Sequence, residues 1–148
     1  MGVFALLASM FATVYARAKD CSNGDALFKI SSMSFLPDPP VMGQNSTLLL
    51  SMNVPAQISG GTATYSATYN FIPLTPSTEN LCLTLPSGCP ILAGSLDTRS
   101  DIPFDKGLSG TLTFKIEWKD TTARPLLCVS VTAKVGNAAK QLAIRRRR

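Results

Sequence analysis

Thr111-Leu112-Thr113-Phe114-Lys115-Ile116-Glu117-Trp118-Lys119 is the stretch that decides the fold. Leu112, Phe114, Ile116 and Trp118 alternate with Thr113, Lys115, Glu117 and Lys119, the period of two that gives a strand one buried face and one face in water. Downstream, Leu127 to Val135 repeats the pattern. Leu127, Val129, Val131, Ala133 and Val135 point one way, and Cys128, Ser130, Thr132 and Lys134 the other. Asp120 to Pro125 supplies the connecting turn, so the two segments read as a hairpin with a common apolar face.

Upstream, Thr62 to Phe71 sets Ala63, Tyr65, Ala67, Tyr69 and Phe71 against Thr64, Ser66, Thr68 and Asn70. Leu48, Leu50, Met52 and Val54 form a further inward row ahead of a turn-like Pro55 to Gly61. Ala26 to Leu36 alternates less strictly, which predicts a bulge. Pro and Gly punctuation separates the segments, as in Pro37-Asp38-Pro39-Pro40, Gly60-Gly61 and Pro86-Ser87-Gly88, and no stretch holds a helical period. Several short strands with regular turns predict an all-β, two-sheet antiparallel sandwich of immunoglobulin-like type, its apolar rows facing one another across about 10 Å.

A length of 148 residues suits one domain with its own core. The apolar run from Val3 to Ala16, followed by small residues around Arg17, has the layout of a secretory leader cut after Ala16 or Ala18, although no basic residue precedes the run. It is too short for a transmembrane helix, which needs about 20 apolar residues. The expected organisation is a leader over 1–18, the sandwich over 19–136 and a basic tail over 137–148. Four of the fourteen basic residues are the terminal Arg145 to Arg148, so the body is close to neutral and carries no basic face for nucleic acid. The tail suits transient contact with anionic membrane, a solvated tail or a processing site.

Cys21, Cys82, Cys89 and Cys128 are an even set in a chain with a secretory start, which predicts two disulfides among three possible pairings. Zinc would need four separated thiolates to converge without histidine or a C-x2-C pair, and no metal or other cofactor is expected. Asn45-Ser46-Thr47 is a glycosylation sequon and fits the same route. With no histidine, no G-x-S-x-G, no phosphate loop and no H-E-x-x-H, the sequence offers no catalytic constellation. Asp97, Asp101 and Asp105 recur every four residues, but the segment reads as a loop with solvated charge rather than a calcium or acid site.

The most specific motif is Leu81-Cys82-Leu83-Thr84-Leu85-Pro86-Ser87-Gly88-Cys89-Pro90-Ile91-Leu92-Ala93-Gly94. A cysteine followed at short range by Cys-Pro-Ile and Gly resembles the ML lipid-recognition family, which includes the Niemann-Pick type C sterol carrier and the phosphatidylglycerol/phosphatidylinositol transfer proteins. The resemblance continues through Ile102-Pro103, Glu117-Trp118 and Pro125-Leu126-Leu127-Cys128, and upstream through Cys21 and the Pro40 to Gly43 turn. It covers about residues 20 to 136. It implies pairing of Cys21 with Cys128 and of Cys82 with Cys89. The further N-terminal pair of many animal members is missing here, which brings the chain closer to the plant and fungal type.

Alternation alone leaves a filled core and a greasy pocket equally open. The resemblance implies the pocket: two splayed sheets between which a lipid completes the core. The wall it implies comprises Leu50, Met52, Val54, Tyr65, Tyr69, Phe71, Ile91, Leu96, Ile102, Phe104, Leu112, Phe114, Ile116, Trp118, Val129 and Val131. The expectation is a secreted or lumenal monomer, not an enzyme, that carries a sterol or phospholipid. Presentation of a lipid to a receptor, and a ligand-free adhesion sandwich, are the rival readings.

Overall fold

A computed structural model describes residues 15–135. In chain order its elements are β1 (Tyr15–Asp20), β2 (Lys29–Leu36), β3 (Gln44–Val54), β4 (Gly61–Tyr69), β5 (Ile72–Pro73), β6 (Ser77–Asn80), α1 (Leu81–Thr84), β7 (Gly94–Phe104), β8 (Gly110–Asp120) and β9 (Pro125–Val135). One sheet runs β1-β9-β8-β4-β5, with β6 also on β4, and the other runs β2-β3-β7. Every pairing is antiparallel.

The alternation of β8 and β9 builds the core as expected. Leu112, Ile116, Trp118, Leu127, Val129, Val131, Ala133 and Val135 are buried on one face, opposed by Leu48, Leu50, Met52 and Val54 from β3. The Asp120 to Pro125 turn is held by the Asp120 carboxylate, which accepts from the backbone N–H groups of Thr122 and Arg124, both at 2.9 Å, and from the Thr122 hydroxyl at 2.7 Å. A register shift between Trp118 and Lys119 buries both Leu126 and Leu127. The expected bulge of β2 lies between Ile30 and Ser32. Across the layers, Phe35 of β2, Phe104 of β7 and Phe114 of β8 meet edge to face in series, with centroids 6.3 and 5.9 Å apart.

Both disulfides pair as the resemblance implied, Cys21 with Cys128 and Cys82 with Cys89. They close loops of 107 and 7 residues, which chain entropy values at about 4.8 and about 2.4 kcal/mol. The long one clamps the end of β1 to β9, where Cys21 N–H also donates to the Cys128 carbonyl at 3.0 Å. β1 and β2 meet on that side, and on the other side β7 is the outer strand of its sheet, beside β4.

Two expectations need revision. Residues 94–104, read as a loop around Asp97 and Asp101, form a strand paired with β3 along its whole length. The carboxylates lie on its outer face, where Ser51 donates to Asp97 at 2.7 Å and Thr47 to Asp101 at 2.8 Å. Phe71 does not continue the inward row of β4. Asn70 and Phe71 both have positive φ, 49° and 66°, in the two-residue turn that joins Tyr69 to Ile72, and Phe71 is 85% exposed. Tyr15 to Ala18, which lie in or beside the expected cleavage region, pair with β9, and Ala16 is buried. Most of the proposed leader and the Arg145 to Arg148 tail lie outside the described residues.

Candidate functional site

Where the outer edge of β7 faces β4 and β8, the two layers do not close. A cavity of about 160 Å³ lies there, lined chiefly by Tyr65, Ile102, Pro103, Phe114 and Ile116. Alternation explains its character. Ile102 on β7 and Phe114 and Ile116 on β8 are inward positions, whereas Asp101 and Lys115, their outward neighbours, stand at its rim. Lys115 is paired with Glu117, so that rim carries little net charge.

A second cavity of about 270 Å³ adjoins the first and shares Tyr65 and Ser100 with it. Its walls come from one step further along each strand, Thr98 on β7 and Trp118 on β8, and from Thr84 and Leu85 at the end of α1. The short helix is held in place by Asn80, whose side-chain oxygen accepts from Cys82 N–H at 2.9 Å, and by the Cys82–Cys89 bond. Tyr65 stands between the cavities. Burial, then the charge of Glu79, push its phenol above the ordinary tyrosine range, while the Thr84 hydroxyl acts the other way, so the group stays a protonated donor at neutral pH. Each cavity is smaller than the roughly 300 to 1,000 Å³ usual for ligand pockets. A third, of about 450 Å³, lies under the disulfide loop and is lined by Leu85, Ile91, Leu92 and Leu96.

Of the wall residues implied by the resemblance, Tyr65, Ile102, Phe114, Ile116 and Trp118 line the two adjoining cavities. Ile91 and Leu96 line the third. Leu50, Met52, Val54, Phe104, Leu112, Val129 and Val131 are buried in the core between the sheets. Tyr69 is half-buried at one end, its hydroxyl donating to the Ser109 carbonyl at 2.9 Å. Phe71 is outside the cavities altogether, on the exposed turn. Thr84, Thr98 and Ser100 were missed. The inward alternation of β7 could have found the last two, but their polarity hid them.

The described fold matches solved structures at low sequence identity. A Niemann-Pick type C2 protein from the Japanese carpenter ant superposes with a TM-score of 0.59 at 14% identity, over 80% of this chain and 98% of that one. Chicken MD-1 complexed with lipid IVa gives 0.58 at 15% identity, over 82% and 89%. Among curated relatives, putative phosphatidylglycerol/phosphatidylinositol transfer protein 1 of Dictyostelium discoideum is 34% identical over 79 residues, 53% of this chain, and the match spans only about half (52%) of its length. A further putative phosphatidylglycerol/phosphatidylinositol transfer protein of that organism, DDB_G0278295, is 28% identical over 132 residues, 87% of this chain and 91% of the relative. The model of the ML domain matches residues 16–135, nearly the whole described fold, and the chain belongs to that family.

Proposed function

We propose that this protein is a secreted monomeric carrier that takes a phospholipid or sterol into the space between its two sheets and moves it between membranes. The family is one of lipid-binding domains without catalytic chemistry, and the chain is not an enzyme. The observation that carries the proposal is the apolar cavity bounded by Ile102, Phe114 and Ile116 at the outer edge of β7. Its volume is too small for a whole lipid, so loading requires β7 to part from β4 and β8. Each chain methylene then removed from water contributes about 0.8 kcal/mol.

Support for transfer comes from the relatives' names and from the surface. Phe71, Ile72 and Leu74 are exposed together at the β4–β5 turn, an apolar projection suited to entering the interface of a bilayer. Asn70 of that turn bonds to Thr111, and β8 pairs Gly110 with Val135, the last residue before the segment that carries Arg145 to Arg148. The described fold ends at Val135 on the same side as the projection, and an anionic surface would attract the Arg145 to Arg148 sequence as well as the projection. Secretion fits the two disulfides, the apolar run from Val3 and the exposed Asn45 of the sequon.

The test is transfer of a fluorescent phospholipid from anionic donor vesicles to acceptor vesicles. The protein is expected to accelerate transfer in proportion to its concentration. Bound lipid without accelerated transfer would replace the carrier reading by one in which the lipid is held for presentation.

A further inference from the structure

The inner row of β7 changes character halfway along. Phe104 and Ile102 are apolar and buried, whereas Ser100 and Thr98, the next two inward positions, carry hydroxyls. They stand opposite Leu48 and Leu50 of β3 and are half-buried. On β8 the sequence runs the same way, from Phe114 and Ile116 beside the apolar cavity to Trp118 beside the second one. Trp118 is only 5% exposed, and among the described residues its Nε1–H has no hydrogen-bond partner. A buried donor without an acceptor costs about 1 to 3 kcal/mol, so the enclosed Trp118 N–H marks a place for an acceptor that the protein itself does not supply. The donors sit at one end of a space whose other end is apolar, and Tyr65 bridges the two.

Resting on the carrier reading, we infer that the second cavity is a headgroup subsite: Thr98, Ser100, Tyr65 and Trp118 donate hydrogen bonds to an acceptor-rich lipid head of phosphodiester or ester type, while the chain lies against Ile102, Phe114 and Ile116. The lipid is thereby oriented, its head toward the Cys82–Cys89 loop and its chain toward Phe104. The cavity's rim carries Arg99 and Asp97, opposite charges, with Asp97 engaged by Ser51 and Arg99 paired to Asp101 at 3.4 Å. Selection therefore falls on acceptor groups rather than on net charge. A sterol, with one hydroxyl, would leave most of these donors unmatched. Enclosure of the indole N–H means that the head reaches it only when β7 parts from β4, the movement that also admits the chain.

The test uses the full-length protein and two probes, phosphatidylglycerol with a pyrene-labelled chain, and hexadecylpyrene, which keeps a chain and has no acceptor. Thr98→Val and Ser100→Ala remove hydroxyls at little change of shape, and Trp118→Phe removes the indole N–H together with part of the ring. Each is expected to weaken phosphatidylglycerol binding by about tenfold or more, the worth of one hydrogen bond to a charged acceptor, with the Trp118→Phe/Thr98→Val pair losing more than either alone. Hexadecylpyrene binding should not change. Equal loss of both probes, or loss of neither, overturns the subsite while leaving the carrier reading intact. Displacement of phosphatidylglycerol by inorganic phosphate would identify a free-anion site instead, and a wild-type protein that binds neither probe removes both readings.

Discussion

Phe114→Ala is the substitution that separates a lined pocket from a packed core. Phe114 lies half-buried on β8, in edge contact with Phe104 at 5.9 Å on one side and bordering the 160 Å³ cavity on the other. Phe28 provides the internal reference. It is 1% exposed and meets Trp118 edge to face at 6.4 Å within the core. Truncating a phenylalanine that is packed all round costs about 3 to 5 kcal/mol, because the void left behind adds to the lost burial. Phe114 already faces a void, so the loss comes from its buried side, about 1 to 2 kcal/mol, with part of the aromatic pair added. The expectation is about 2 kcal/mol for Phe114→Ala and about 4 kcal/mol for Phe28→Ala, read from urea unfolding with an unchanged m-value. Lipid recovered with the protein should fall at least about tenfold in affinity for Phe114→Ala, roughly 1.4 kcal/mol. If Phe114→Ala costs as much as Phe28→Ala and leaves the lipid content untouched, Phe114 is an ordinary core residue and the argument fails.

Other outcomes follow from particular contacts. Phe71→Ala is expected to leave stability and equilibrium lipid affinity unchanged, since the ring is exposed, and to slow transfer from anionic vesicles; unchanged transfer would remove the projection from the mechanism. Serine replacement of Cys21 and Cys128 should cost about 4 to 5 kcal/mol against about 2 for Cys82 and Cys89, and a reversed order in thermal unfolding would contradict the chain-entropy account. The Asp120 carboxyl is held down to about 2, first by the Thr122 hydroxyl and then by the Arg124 N–H. A folded pKa below the unfolded one gives stability that is present above about pH 4 and lost as pH falls toward 2, so Asp120→Asn should flatten that part of the acid limb of the stability curve. N-terminal sequencing of secreted protein should find a start no later than Ala16, because Ala16 N–H donates to Asp38 at 3.0 Å and residues 15–18 supply most of the β1–β9 register; a start at Lys19 would contradict the role of β1.

The parts of the fold legible in the sequence are those where one face is apolar and the other polar. Leu112 to Trp118, Leu127 to Val135 and Leu48 to Val54 fall into place because each is a central strand packed on one side only. β7 escaped because its inward positions include Thr98 and Ser100 and its last turn carries Pro103, so neither periodicity nor composition marks it as a strand. Phe71 misled because alternation cannot announce where a strand stops, and no glycine marks the Asn70-Phe71 turn. β1 was obscured by its small residues, Ala16 and Ala18, which read as a cleavage signal and serve as an edge strand. At the site, the aromatic and aliphatic wall was readable, whereas the hydroxyls were not. Their meaning depends on which cavity they face, a property of the pairing of β7 with β3 and its placement against β8.

The account rests on a lipid occupying the space between the sheets, and the most direct measurement is native mass spectrometry of the protein purified from its own secretory route, followed by solvent extraction and identification of what is released. The account predicts one lipid per chain, bearing an acceptor-rich head, that is lost on unfolding and depleted in Phe114→Ala. A folded, fully disulfide-bonded protein whose mass equals that of the polypeptide and its glycan alone, and which takes up no lipid from vesicles, would contradict it.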